Sequence, residues 1–144
     1  MIEQDTIRLL RECDAGIKMG VASIGDVLPH IRSDAFRDRL ARCMAEHEQL
    51  GREIRQALDR FHDTGKDPGA MARGMSALKT VFELAIDATD ATAASLITDG
   101  CNMGVKSLNQ YLNQYQAADE SAKDIAGRLI HLEEKLTADI RAYL

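Results

Sequence analysis

Three side chains in this sequence have the types and placement for joint chemistry: Asp14, His47 and Glu133. Each falls mid-length in a strongly periodic apolar stretch. One imidazole and two carboxylates in a common layer would hold a single divalent ion (iron, manganese or zinc) and leave positions open for water. Without a metal, the same three groups would form a hydrogen-bonded polar trio in the core, since an unpaired buried carboxylate is costly. Asp14 and His47 lie about equally far from a turn expected near residue 30, so a helical hairpin would bring them level. Glu133 lies at the side of its own apolar stripe, where it reaches either that layer or solvent.

Other residue types offer less. Glu46-His47-Glu48 are consecutive, and neighbours on a helix point in different directions. His131 falls off the Leu129/Leu132 stripe and reads as a surface residue, whereas His30 and His62 fall near helix ends, where a cation complements the dipole. Cys13, Cys43 and Cys101 form no Cys-x-x-Cys pair; Cys13 and Cys101 border the polar layer and read as small buried hydrophobes. There is no Gly-x-Ser-x-Gly elbow for a nucleophile and no glycine-rich phosphate loop. Catalysis therefore finds little footing.

The elements that must position these residues are helices. Ile7, Leu10, Asp14, Ile17, Val21, Ile24 and Leu28 recur at spacings of three and four, and Pro29 follows. A second stripe runs Phe36, Leu40, Cys43, His47, Leu50, Ile54, Ala57 and Phe61, with a stop expected near Thr64-Gly65. A breaker-rich connection leads to a short helix over Met75–Ile86, and the stretch from Asp87 to Asp90 offers caps for a third long helix carrying Ala94, Ile97, Cys101, Val105, Leu108, Leu112 and Tyr115. Asp119 caps a fourth, with Ile125, Leu129, Leu132, Leu136, Ile140 and Tyr143 inward. No run alternates with the period of a strand. The third helix also carries a polar face of Asp99, Asn102, Lys106, Asn109 and Asn113, read as solvated or as a contact surface.

Residues 16–28 (GIKMGVASIGDVL) and 100–112 (GCNMGVKSLNQYL) share the pattern G-x-x-M-G-V-x-S-[IL]-x-x-x-L. Residues 42–58 and 128–144 also align, matching His47 with Glu133 and Glu53 with Asp139. Two matches in order at nearly one offset read as a duplicated helical hairpin, residues 1–64 and 88–144, joined by a crossover over 65–87. A single domain of 144 residues follows. The matched pairs Gly16/Gly20 and Gly100/Gly104 lie inside helical patterns, where each glycine costs about 1 kcal/mol against alanine, so close approach of another element is expected there. With Met19 and Met103 beside them, they predict either a homodimer seam or packing against the crossover around Met71 and Met75.

A duplicated hairpin pair with one long crossover resembles the ferritin-like four-helix bundles. The resemblance implies an antiparallel bundle and a dinuclear iron or manganese centre, built from one carboxylate on each of helices one and three and a Glu-x-x-His pair on each of helices two and four. The tetrads at the matching positions are Met44-Ala-Glu-His47 and Ile130-His-Leu-Glu133, and the repeat partner of Asp14 is Thr98. The implied ligand set thus reduces to Asp14, His47 and Glu133.

Composition narrows the class further. Eighteen basic against twenty-three acidic residues give a net charge of −5, which argues against duplex nucleic acid and anionic membrane surfaces as partners. An aromatic content of 4% with no Trp leaves no stacking platform for single strands. A charged amino terminus without an apolar run, and three scattered cysteines, point to the cytoplasm. The expectation is a ferritin-like all-α bundle, a homodimer that acts through binding or assembly, without catalysis or a resident cofactor. Its two alternatives are a metal-dependent redox protein using the reduced Asp/His/Glu set, and a carrier of a small ligand. The carrier requires a void between the helices, where a bundle without a ligand predicts a closed core of Leu, Ile and Met.

Overall fold

The computed structural model of the chain describes residues 2–66 and 88–144. Among these residues are four long helices and no strand: α1 (Ile2–Val27), α2 (Asp34–Asp59), α3 (Asp90–Gln114) and α4 (Glu120–Asp139), with 3-10 turns at Leu28–His30 and Arg141–Tyr143. The all-α expectation holds. The short helix expected over Met75–Ile86, and the covering role given to Met71 and Met75, lie outside the described residues. No helix among the described residues is long and apolar enough to cross a membrane.

Three helix starts are fixed by side chains that accept from amides no helical carbonyl can reach. Ser33 Oγ accepts from Phe36 N at 3.2 Å, Thr89 Oγ1 from Thr92 N at 3.2 Å, and Asp119 Oδ1 from Ala122 N at 2.8 Å. Asp90 accepts from the amides of Arg32 and Ser33 at 2.8 and 2.9 Å, which ties the start of α3 to the α1–α2 connection. Thr6 Oγ1 accepts from the Asp119 amide at 2.8 Å and ties the start of α4 to α1.

Helix α2 ends at Asp59, earlier than the Thr64-Gly65 stop expected from sequence. His62 takes φ 56°, and the amides of His62 and Asp63 donate back to the carbonyls of Asp59 and Leu58 at 3.0 and 3.1 Å. That left-handed cap satisfies the last carbonyls before glycine is reached. Gly65 nevertheless has the positive φ of 88° that its type suits, at the point where the chain turns onto α1.

Two apolar clusters fill the interior. One joins Leu9, Leu10, Cys13 and Ile17 to Leu50, Ile54, Leu58, Leu108, Ile125 and Leu129. The other joins Ile24, Val27, Ile31, Phe36, Leu40 and Cys43 to Ala93, Ala94, Ile97, Cys101, Leu136 and Ile140. Full burial of one such Leu or Ile side chain is worth about 1.5–3 kcal/mol, so these clusters dominate the stability. His47 lies along α2 between Cys43 and Leu50, and Glu133 along α4 between Leu129 and Leu136. A polar layer thus divides the core in two.

The register of α1 against α2 differs from the one expected. A Cβ on Gly51 would lie 3.0 Å from Ile17 Cγ2, and one on Gly20 would lie 3.1 Å from His47 Cδ2. His47 therefore stands beside Gly20 and not beside Asp14. The chain runs on through the 3-10 turn and the extended Ile31 before α2 begins, which moves the pivot from residue 30 to beyond Ser33. Gly20 and Asp14 are about 9 Å apart along the helix axis at 1.5 Å per residue.

Candidate functional site

Asp14 is 1% exposed and serves the chain that follows α2. Its Oδ2 takes Lys18 Nζ at 2.8 Å and accepts from the Lys66 amide at 3.0 Å. Gly65 passes so close that a Cβ there would lie 2.3 Å from Oδ2. Arg11 Nη1 holds both oxygens of Asp63 at 3.1 Å, and Lys66 Nζ pairs with Glu12. Arg11, Glu12 and Asp14 of α1 therefore clamp residues 63–66. The expected trio is not assembled: Asp14 joins this clamp, while His47 and Glu133 meet each other. Among the described residues there is no group of three His, Cys, Asp or Glu side chains placed to hold a metal ion.

His47 and Glu133 form the polar layer. His47 Nε2 lies 2.8 Å from Glu133 Oε1, and Nδ1 lies 2.8 Å from the Cys43 carbonyl and 3.4 Å from Cys43 Sγ. A carbonyl only accepts, so Nδ1 carries a hydrogen, and one further proton is held between Nε2 and the carboxylate. Burial opposes charge on the ring, but hydrogen bonds from Cys43 and Glu133 and the charge of Glu133 outweigh it and raise His47 from 6.5 to about 10. At neutral pH the pair is therefore an imidazolium against a carboxylate.

Glycines let the backbones of α1 and α3 come close to the pair. A Cβ on Gly20 would lie 3.2 Å from His47 Nε2, and one on Gly104 would lie 3.8 Å from Glu133 Oε2. With Gly16 and Gly100 they line a cavity of about 70 Å³ between α1 and α3. Ile24, Ile97, Leu108, Leu129 and Leu136 supply its apolar surface, and Ser23 and Ser107 its hydroxyls. His47 and Glu133 contribute to the same lining, as do Cys101, Glu12 and Tyr111. The side chain of Glu133 keeps 12% exposure, against 1% for His47. Among its charged lining residues are two carboxylates and no Lys or Arg. Burial, then the charge of Glu133, raises the Cys101 thiol well above its ordinary range, so it is a neutral wall and not a nucleophile.

The core is thus open to a groove at the level of the His47–Glu133 pair. The glycine pairs signalled close approach of another element and not this groove. Ser23 and Ser107 are the serines shared by the two glycine-containing segments, whereas nothing in the sequence marked Glu12 as a lining residue. The polar face of α3 (Asp99, Asn102, Lys106, Asn109 and Asn113) is exposed, and so is His131. No family model matches the chain, and neither a curated protein nor a solved structure is found to be similar to it.

Proposed function

We propose that this chain is a non-catalytic binding protein, a ferritin-like bundle whose α1–α3 groove holds a small, largely apolar molecule above the His47–Glu133 pair. The observation that carries this reading is the cavity itself: apolar walls, a glycine-notched mouth and one ion pair on its floor. Small-molecule sites combine apolar surface with a few placed polar groups in the same way. The antiparallel, duplicated arrangement is supported by falling residue numbers on α2 and α4 as those on their partners rise. Ile17 meets Gly51 and Gly20 meets His47; across α2 and α4, Arg39 bonds Asp139 at 2.8 Å and Arg128 bonds Glu53 at 2.6 Å.

A neutral apolar fluorophore such as prodan tests the reading. Saturable, one-to-one enhancement is expected, with loss in Gly100→Leu at unchanged helical circular dichroism. Nothing lies within 4 Å of a Cβ at Gly100, so that variant fills the groove without straining the backbone. Binding unaffected by Gly100→Leu would reject the groove. Self-association is the second reading, favoured by Met103, which is 59% exposed on α3 beside the groove. A dimer in sedimentation equilibrium that Met103→Lys dissociates would support it.

A further inference from the structure

We infer that the ligand of this groove is a small uncharged alcohol or phenol, whose hydroxyl donates a hydrogen bond to the Glu133 carboxylate while its carbon skeleton lies on the apolar walls. The inference rests on the groove being a ligand site and adds the ligand's charge and the direction of its hydrogen bond. The charge follows from the ion pairs. Glu12 and Glu133 are the carboxylates of the lining, and each already has its cation, Lys66 on Glu12 and the His47 ring on Glu133. No Lys or Arg is among the lining residues. A ligand charged in either sense would give up its hydration for walls that hold no unpaired counter-charge, which is costly. A neutral molecule avoids that cost.

The direction follows from which polar atoms are already committed. Both ring nitrogens of His47 donate, Nδ1 to the Cys43 carbonyl and Nε2 to Glu133 Oε1, so the buried ring has nothing to offer a ligand. The Tyr111 hydroxyl is bonded to Glu12, and the Cys101 thiol to Glu133. A carboxylate has about four lone-pair sites, and His47 and Cys101 use two of those on Glu133. What remains on the floor of the groove is therefore capacity to accept. Glu133 is also the member of the pair that reaches open space: its side chain keeps 12% exposure, against 1% for His47. At Gly104 no Cβ stands before Oε2, where one would lie 3.8 Å away. Ser23 and Ser107 carry hydroxyls that either donate or accept, so they tolerate both kinds of ligand. The carboxylate discriminates. An ether or ketone laid on it would turn lone pairs toward lone pairs, and a carboxamide would bring a carbonyl that needs a donor of its own. A hydroxyl supplies the one donor that Glu133 accepts.

Calorimetric titration of the whole chain at neutral pH with 1-hexanol, its isomer butyl ethyl ether, hexylamine and hexanoate tests this. The alcohol is expected to bind about tenfold more tightly than the ether, the worth of one hydrogen bond to a charged acceptor. Hexylamine and hexanoate should both bind more weakly than the alcohol. The His47→Leu/Glu133→Leu double variant, which removes the acceptor together with its counter-charge, should bind 1-hexanol no more tightly than the ether. Equal affinity for alcohol and ether in the unmodified protein, or tighter binding of either charged compound, would overturn the assignment and leave the groove standing as a site. So would an absence of 1-hexanol binding where prodan binds. Failure of all four compounds, together with failure of prodan, would remove the groove as well. The comparison of isomers on the unmodified protein stands even where the double variant fails to fold.

Discussion

His47 Nε2 lies 2.8 Å from Glu133 Oε1, across the interface of α2 and α4. This pair lies between the two apolar clusters of the core and forms part of the lining of the groove between α1 and α3. Its protonation should be visible in the stability of the whole chain. The folded-state value of His47 is raised from 6.5 to about 10, so its stabilising contribution is complete below about 6.5 and is lost as pH rises through about 10. Urea unfolding of the wild type, referenced to the His47→Leu/Glu133→Leu double variant, should show a stability difference that declines steadily over that window. A difference that grows with pH would contradict the assigned charge state.

The pair is expected to be dispensable for folding and needed for binding. Glu133→Gln leaves a buried imidazolium without its counter-charge and should cost about 3 kcal/mol. The double replacement by leucine removes both charges at similar volume and should stay within about 1 kcal/mol of the wild type. Chemical denaturation compares the three. A double variant less stable than Glu133→Gln would mean that the pair itself holds the bundle together.

The clamp on residues 63–66 yields a local test. Gly65→Ala places a methyl group 2.3 Å from Asp14 Oδ2 at a φ of 88°, and should cost about 2 kcal/mol or more. Gly127→Ala, in α4 with nothing within 4 Å of the added carbon, should instead gain about 0.5–1 kcal/mol. Thermal unfolding of the two variants should therefore move in opposite directions.

Thiol chemistry should be slow throughout. Cys13, Cys43 and Cys101 are all buried, and burial, reinforced by the charges of Glu12 and Asp14, pushes the Cys13 thiol up to about 12. An aromatic disulfide reagent at mildly alkaline pH should titrate all three only in denaturant. Rapid reaction of Cys13 or Cys43, neither of which lines the groove, would indicate an open path that the packing does not contain.

Much of this was legible in the residues, and the remainder has physical reasons. Apolar periodicity located the four helices, and Ser33, Thr89 and Asp119 are capping types at the right places. His47 and Glu133 were marked by their mid-helix positions, whereas the glycine pairs signal close approach of another element and not the groove that they line. The register escaped because it depends on how far the chain runs on through Leu28–His30 and Ile31 before α2 starts. No side-chain pattern encodes that distance. Asp14 was misassigned for the same reason: its partners, Lys18 and the Lys66 amide, become neighbours only once Gly65 turns the chain back along α1. The separation of α1 from α3 is likewise a packing outcome.

The most direct test of the central claim is a nuclear magnetic resonance titration with prodan that follows the backbone amides. The groove predicts saturable shifts centred on Gly16, Gly20, Gly100, Cys101 and Gly104. Shifts scattered over the exposed acidic surface would contradict it.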